Sequence, residues 1–165
     1  VNSYVNTMKN GDFRQELTQK VEEASRLMPG KPAFDIEMTD KEGNVHKLSE
    51  LKGKVLYVDL WATWCGPCCA ESPFFEKLSK EFTGKEILFV PISTDKHRKV
   101  WLGYLDAHAK ELTQYNTVDT SLSTQWKVYG IPRFLLIDKD FNIINAYAPR
   151  PSEEGTKALL ESLLK

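Results

Sequence analysis

Residues 64–68 have the sequence Trp-Cys-Gly-Pro-Cys, which places two cysteines at C-x-x-C spacing. The preceding segment, 54–61, is dense in β-branched and aromatic residues and predicts a buried strand. The following segment, 69–82, is long enough for a helix, although it contains Pro73. We therefore expect the Cys65 sulfur at a helix N-terminus, where free backbone N–H groups and the helix dipole stabilise a thiolate. This strand–C-x-x-C–helix unit indicates a thiol–disulfide active site.

The cysteine pair has two other interpretations. A structural zinc site needs four ligands, usually as two Cys/His pairs, and no second pair occurs at ligand spacing. The remaining candidate ligands are Cys69, His46, His97 and His108. The interpretation as an inert structural disulfide remains an alternative. However, Gly66 and Pro67 between the cysteines and the adjacent Trp64 favour redox chemistry. We therefore expect no metal site here.

Composition and charge restrict the class of protein. The chain has 165 residues, 41% hydrophobic and 27% charged, which suits one soluble domain with a full core. Its formal net charge of −1 gives no indication of nucleic-acid binding. No apolar run approaches the roughly 18 residues of a membrane-spanning helix. Three cysteines are an odd number, so a pair formed by Cys65 and Cys68 would leave Cys69 over.

The apolar patterns predict an α/β domain. A β-α-β unit requires parallel strands, and a closing hairpin adds an antiparallel edge. We expect a mixed central sheet flanked by helices on both faces, with an N-terminal β-hairpin and an extra N-terminal helix. In chain order the predicted elements are a helix over 12–28, strands over 34–38, 45–48 and 54–61, the C-x-x-C helix, a strand over 87–92, a helix capped by 93–95, an irregular segment over 114–123, a short helix over 122–129, strands over 133–138 and 143–147, and a helix opened by 151–152.

Several separate segments resemble the thioredoxin superfamily, and most closely its TlpA/ResA-like bacterial thiol–disulfide oxidoreductases. The matching segments are 30–34, 48–54, 58–68 with Glu71 and Pro73, 130–132, and 134–138. The resemblance implies a thioredoxin-like domain over residues 30–165. We expect residues 1–29 to be an N-terminal helical extension, the tail of a further upstream domain.

The two cysteines are assigned different roles. Cys65, at the helix start, is the candidate nucleophile, whose thiolate attacks a partner disulfide. Cys68 lies one turn further along on the same face, and we expect it to resolve the mixed disulfide. Gly66 and Pro67 tune the exchange, because proline withholds an N–H donor from the sulfurs at little cost to the first turn.

Asp59 stands inside an apolar strand, six residues before Cys65. Strand alternation places it on one face with Val55, Tyr57 and Trp61. The resemblance implies a buried carboxylate that serves proton transfer to the resolving cysteine, with a pKa raised by burial. The alternative is a carboxylate at a strand end that meets water or a lysine.

The resemblance also implies a partner-binding loop at Pro132, with a cis Ile131–Pro132 bond that leaves the Ile131 backbone free to pair with a bound peptide. Many relatives have threonine near this proline, whereas Ile131 and Arg133 flank it here, which leaves substrate preference open. We expect Trp64 to tune the active site and to dock partners, and Trp61 to belong to the core.

Three further features are predicted to be structural. Glu71 fits a helix-surface carboxylate better than a catalytic one. Cys69 fits a small buried apolar residue better than a regulatory thiol. The basic run over 96–99 is predicted to be the solvated first turn of a helix, with contact to an acidic partner as the alternative.

These features predict a thiol–disulfide oxidoreductase that acts on protein partners without a cofactor other than the Cys65–Cys68 disulfide. Gly-Pro between the cysteines and Asp59 beneath them favour a reductase. The alternatives are a thiol peroxidase, for which Thr63 is the relevant neighbour, and a non-catalytic interaction module. The resemblance implies a monomer in the periplasm, or tethered to the membrane and facing the periplasm. Its partners would be envelope proteins such as apocytochromes, together with an upstream thiol reductant.

Overall fold

The computed structural model describes residues 11–165, which form seven strands, five α-helices and one 3₁₀ helix. The strands are β1 (Glu37–Thr39), β2 (Val45–Lys47), β3 (Val55–Trp61), β4 (Ile87–Ser93), β5 (Tyr115–Asn116), β6 (Arg133–Ile137) and β7 (Ile143–Asn145). The helices are α1 (Gly11–Ser25), α2 (Gly66–Glu81), α3 (Arg98–Ala107), α4 (Ser121–Thr124) and α5 (Thr156–Ser162), and the 3₁₀ helix covers Leu48–Leu51. Residues 1–10 of the predicted extension lie outside this range, and the domain division at residue 30 stays a prediction.

All seven strands belong to one mixed sheet, in the order β2-β1-β5-β4-β3-β6-β7. Strand β4 pairs in parallel with β3 and β5, and the other neighbours are antiparallel. The predicted β-α-β unit and both hairpins are therefore confirmed. The central strand β3 leads directly into the C-x-x-C segment. The cysteines therefore lie just beyond the C-terminal end of this strand.

Alternation along β3 divides the core between the two faces of the sheet. Leu56, Val58 and Leu60 pack on one side, against Leu48 of the 3₁₀ helix and Leu122 of α4. On the other side Val55 and Tyr57 pack against Phe75 of α2 and Leu160 of α5, and Trp61 packs against Trp101 of α3. Helices cover both faces as predicted, because a strand buried on both sides needs apolar cover on each.

Several predicted boundaries are wrong, two of them because a local polar group bonds elsewhere. The helix predicted over 12–28 ends at Ser25, the short helix predicted over 122–129 ends at Thr124, and the strand predicted over 143–147 ends at Asn145. Strand β1 begins at Glu37 rather than at residue 34, since the carbonyl of Phe34 accepts a hydrogen bond from the Trp126 indole instead of a strand neighbour. Helix α3 begins at Arg98, since the carboxylate of Asp95 binds Thr63 instead of capping the helix. Helix α5 begins only at Thr156, after turns over 151–155.

Two further features concern the regularity of β4 and β5. Pro91 lies within β4 and pairs in register with Asp59. The segment over 114–123, predicted to be irregular, contains the two-residue strand β5. Strand β5 pairs with β4 only at Ile92 and Ser93, beyond the proline. Within residues 11–165, no helix has the length and hydropathy that a membrane crossing requires.

Candidate active site

The turn between β3 and α2 places Cys65 at the N-cap of α2. Cys65 has extended backbone angles, and its Sγ accepts a hydrogen bond from the backbone N–H of Cys68 at 3.3 Å. Its carbonyl accepts the first helical hydrogen bond, from Cys69 N at 3.0 Å. Pro67 lies in the first turn, where a missing N–H costs no intrahelical bond. An N–H donor and the positive end of the helix dipole therefore both meet the Cys65 sulfur.

Cys65 and Cys68 form a disulfide with an S–S distance of 2.10 Å. Both residues are buried in a cluster with Trp61 and Trp101. The Cys65 Sγ lies 3.8 Å from the carbonyl oxygen of Ile131, and the Ile131–Pro132 bond is cis, as the resemblance implies. The fold thus brings together two segments that lie more than sixty residues apart in the sequence.

The surface beside the disulfide is apolar. The side chain of Trp64 is 73% exposed, whereas Trp61 is buried in the core, as predicted for Trp61. A groove of about 1000 Å³ runs from Trp64 to Ile131. Val118 and Tyr129, both largely exposed, lie along it. Large exposed apolar side chains in a concave surface are typical of sites that bind another molecule.

Asp59 is buried beneath this site. It is 4% exposed, and within residues 11–165 its Oδ1 has no hydrogen-bond partner. Burial raises its pKa to about 8, because the low-polarity interior penalises the charged carboxylate. The negative charge of Glu71 contributes to this rise, and the positive charge of Lys110 opposes it. A carboxyl with such a pKa can take up and release a proton near neutral pH.

The prediction that Glu71 is a surface carboxylate is wrong. Glu71 is 7% exposed, and its two carboxylate oxygens accept hydrogen bonds from the backbone N–H (3.1 Å) and hydroxyl (2.5 Å) of Ser152. Its spacing from Cys68 and Phe75 places all three on the buried face of α2. That helical spacing was visible in the sequence, whereas the partner Ser152 was not.

Sequence reasoning also missed a buried polar cluster around Asp95. Its carboxylate accepts hydrogen bonds from the backbone N–H of Thr63 (3.0 Å), the hydroxyl of Thr63 (2.7 Å) and the hydroxyl of Ser93 (2.5 Å). The side-chain amide of Asn116 donates to the carbonyl of Asp95 at 3.0 Å. The cluster fixes the loop that carries Trp64 and Cys65. One feature of the sequence indicated this cluster: the polar residues Thr63 and Asp95 each lie just after one of two adjacent strands.

Cys69 differs from the predicted buried apolar residue. It is a free, half-buried thiol, whose sulfur accepts a hydrogen bond from the hydroxyl of Tyr104 at 3.6 Å and lies 3.8 Å from the carbonyl oxygen of Thr63. Burial and the contact with Cys69 raise the pKa of Tyr104 to about 12, which keeps the phenol a donor. Cys69 therefore connects α2 to α3.

Two arginines hold the loops around the site. The Arg133 guanidinium donates to the carbonyls of Ala146, Trp126 and Lys127 at 2.7 to 3.1 Å, and so fixes the segment before Pro132. In the basic run, Lys96, His97 and Lys99 are exposed as predicted, whereas Arg98 is half-buried. It donates to the hydroxyl of Thr39 and to the carbonyls of Asp40 and Lys41 in the N-terminal hairpin.

Within the described part of the chain, no group of three or more His, Cys, Asp or Glu side chains is arranged to hold a metal ion. His46 instead contacts the carboxylate of Asp40 at 2.7 Å. This contact raises the pKa of His46 and lowers that of Asp40 to about 2. The redox group of the site is the cysteine pair itself.

A disulfide at the N-terminus of a helix after the central parallel strand, opposite a cis-proline loop, defines a thioredoxin-like thiol–disulfide active site. Known proteins agree with this assignment. The family model described as Redoxin matches residues 28–164. A crystal structure from Bacteroides vulgatus, described as a thiol-disulfide oxidoreductase, is 61% identical, covers 85% of this chain and 99% of its own, and superposes with a TM-score of 0.83.

Two curated relatives are also named as thiol-disulfide oxidoreductases. The thiol-disulfide oxidoreductase ResA of Bacillus thuringiensis subsp. konkukian is 27% identical over 159 residues, which are 96% of this chain and 85% of the relative. ResA of Halalkalibacterium halodurans is 33% identical over 122 residues, 74% of this chain and 57% of the relative. The chain therefore belongs to the Redoxin family, as a TlpA/ResA-like thiol–disulfide oxidoreductase of the thioredoxin superfamily. The predicted thioredoxin-like fold and enzyme class are confirmed.

Proposed function

We propose that this oxidoreductase works as a reductase of disulfides in other proteins. Cys65 is the nucleophile, Cys68 is the resolving thiol, and Asp59 takes up the proton that Cys68 loses. One observation about Asp59 carries this proposal. Asp59 is a buried carboxyl with a pKa of about 8, and it lies on the strand that leads into the cysteine pair. A base of this strength is matched to a thiol that must lose its proton near neutral pH.

The exchange proceeds in two steps that conserve atoms and electrons. The Cys65 thiolate of the reduced enzyme attacks one sulfur of the partner disulfide, which gives a mixed disulfide and a partner thiolate. Cys68 then gives its thiol proton to Asp59, and its thiolate attacks the Cys65 sulfur. This second step releases the other partner thiolate and forms the Cys65–Cys68 disulfide. Two electrons pass to the partner, whose thiolates take protons from solvent.

The surroundings of Cys65 support its role as the attacking sulfur. The Cys68 N–H that lies 3.3 Å from the Cys65 Sγ would stabilise negative charge there, as would the helix dipole. Cys68 lies one turn further into the helix, at 1% exposure. A less exposed sulfur suits the resolving step, because Cys68 has to reach only the neighbouring Cys65 sulfur and not the partner protein.

A protein rather than a small molecule is the proposed partner because of the groove beside the disulfide. Trp64, Val118 and Tyr129 offer a broad apolar surface, and the groove reaches Ile131 next to the cis bond. The Ile131 backbone would pair with an extended peptide while the partner disulfide meets Cys65.

We also propose that the protein acts outside the cytoplasm on envelope proteins, apocytochromes among them. It would draw its electrons from an upstream thiol reductant. Membership of the family supports both proposals.

The structure gives no support to the thiol peroxidase alternative. The hydroxyl of Thr63 donates to Asp95. The Arg133 guanidinium is occupied by three backbone carbonyls. Neither group is therefore directed at the Cys65 sulfur to hold a peroxide. Both cysteines are present and paired, unlike in a module that has lost its redox function.

The reduction potential of the Cys65–Cys68 couple tests the direction of electron flow. The protein is equilibrated in buffers of defined potential, the thiols are trapped, and the oxidised fraction is measured by mass. We expect a value near that of thioredoxin, about −270 mV. A value near about −120 mV would identify an oxidant and contradict the proposed reductase.

A further inference from the structure

A second cavity opens next to the groove that runs from Trp64 to Ile131. Its volume is about 500 Å³, and its walls are helix α1 with the segment that follows it, and the two loops that carry Tyr129 and Tyr147. We call it the helix-side cavity. The side chain of Tyr129 lines both the groove and the helix-side cavity. The two therefore adjoin on the surface that begins at the disulfide.

The exposed apolar side chains of the protein are concentrated around these two cavities. In the helix-side cavity Tyr129 is 81% exposed, Tyr147 is 62% exposed and Met28 is 57% exposed. Residues 11–165 include nine large apolar side chains that are well exposed, and five of these line one or both cavities. Single exposed apolar side chains are normal on a protein surface, whereas a contiguous set marks a place where another molecule binds.

Polar contacts hold the walls of the helix-side cavity in place. The Nζ of Lys127 lies 3.1 Å from the carboxylate of Glu23, which joins α1 to the loop before the cis bond. The central guanidinium carbon of Arg133 lies 3.7 Å from the ring centre of Tyr147, and the same group donates to the carbonyl of Lys127 at 3.1 Å. A surface that is fixed before binding loses less conformational entropy when its ligand arrives. The cavity is therefore preformed and is connected to the cis-proline loop.

The charged groups at the cavity are already paired. Lys20 forms an ion pair with Glu16 at 2.8 Å, and Lys127 is paired with Glu23. These pairs leave little net charge to attract an ionic group. The rest of the lining is mostly apolar, from the two tyrosines and from the segment after α1. The ligand that fits is an uncharged apolar side chain, most favourably an aromatic ring that packs against a tyrosine.

We propose that a partner polypeptide bound at the disulfide continues over Tyr129 and inserts an apolar, preferably aromatic, side chain into the helix-side cavity. Continuity of the two cavities favours this occupant, because an extended chain advances about 3.3 Å per residue and passes from one cavity to its neighbour within a short segment. Helix α1 is then part of the recognition surface of the enzyme. The inference rests on the function proposed above, in which the partners are proteins.

A series of synthetic peptides tests the proposal on the reduced protein. Each peptide has a Gly-Ser background and a single cysteine, held as a mixed disulfide with thionitrobenzoate. The Cys65 thiolate attacks the peptide sulfur, and coloured thionitrobenzoate leaves with the electron pair of the broken S–S bond. A tryptophan is placed at successive positions, from about two to about eight extended residues on either side of the cysteine. A peptide with alanine in its place is the reference.

We expect the tryptophan to raise the second-order rate constant about tenfold at one distance on one side of the cysteine, because burial of a large aromatic side chain is worth at least that factor. Tyr147→Ala and Ala24→Glu should each abolish this gain. The first removes a wall of the cavity, and the second places a charge in it from an exposed position of α1. Comparison with the alanine peptide in the same variant cancels any general loss of activity.

Phe74→Ala is the matched control, since it removes an exposed aromatic side chain that lines neither cavity, and the gain should persist. An equal rate at every tryptophan position, or a gain that survives both Tyr147→Ala and Ala24→Glu, would overturn the inference. A wild-type dimer that becomes monomeric in Tyr147→Ala on size-exclusion chromatography would assign the cavity to a second copy instead. Failure of the proposed function gives a different result: no peptide would react faster than the thionitrobenzoate disulfide of free cysteine.

Discussion

Replacing Asp59 with asparagine should stabilise the oxidised protein, and more so at high pH. Burial raises the pKa of Asp59 from 3.8 to about 8. The folded state therefore binds this proton more tightly than the unfolded state, and folding stability falls as pH rises through that interval. Asparagine has nearly the same shape and cannot ionise, so it removes this dependence.

The magnitude follows from the size of the shift. Each pH unit within the interval changes the free energy of unfolding by up to about 1.4 kcal/mol. Between pH 5 and pH 9, the advantage of Asp59→Asn over wild type should therefore grow by about 4 kcal/mol. The contributions of titrating groups that do not interact with Asp59 are common to both proteins and cancel in this difference.

Urea unfolding of both oxidised proteins at pH 5, 7 and 9 measures that difference directly. Asp106→Asn makes the same chemical change at an exposed position of α3 and serves as the control. A stability difference between Asp59→Asn and wild type that stays constant from pH 5 to pH 9 would refute the reasoning, because it would mean that Asp59 ionises alike in the folded and unfolded states.

Three further predictions concern the site. Cys68→Ser should accumulate a mixed disulfide between Cys65 and its partner, seen by mass spectrometry; absence of the adduct would contradict the assigned order of attack. Ser152→Ala removes the hydroxyl bond to the buried Glu71 while the backbone N–H bond stays, and should lower the free energy of unfolding by about 1–3 kcal/mol, measured in denaturant. Trp64→Ala should raise KM about tenfold for a protein disulfide and leave a small aromatic disulfide unaffected, and equal effects on both would argue against docking.

The active-site prediction rested on local patterns. The C-x-x-C pair, the apolar strand before it and the helix after it are continuous in sequence, so chain geometry alone brings them together. Asp59 was visible for the same reason, as a carboxylate inside an apolar strand. Long-range polar contacts were not visible, because a hydrogen bond such as that from Ser152 to Glu71 spans 81 residues.

Two predicted boundaries were wrong because a polar group had two possible hydrogen-bond partners. Asp95 can cap a helix by its position in the sequence, yet its carboxylate binds Thr63 across two strand ends. Residues 34–36 have the apolar pattern of a strand, yet the carbonyl of Phe34 binds the Trp126 indole. In both cases a tertiary hydrogen bond competed with the local one and prevailed.

The sequence by itself determined the order of strands and helices apart from the two-residue strand β5, and also the redox pair and the class of chemistry, because periodicity and motif spacing are properties of neighbouring residues. The tertiary structure alone decided that Glu71 is buried, that Arg133 and Asp95 hold the loops, and that Lys110 lies near enough to Asp59 to lower its pKa. These depend on which distant segments the sheet order brings into contact. Burial then sets the energy of each charge, and so sets the proton affinity of Asp59.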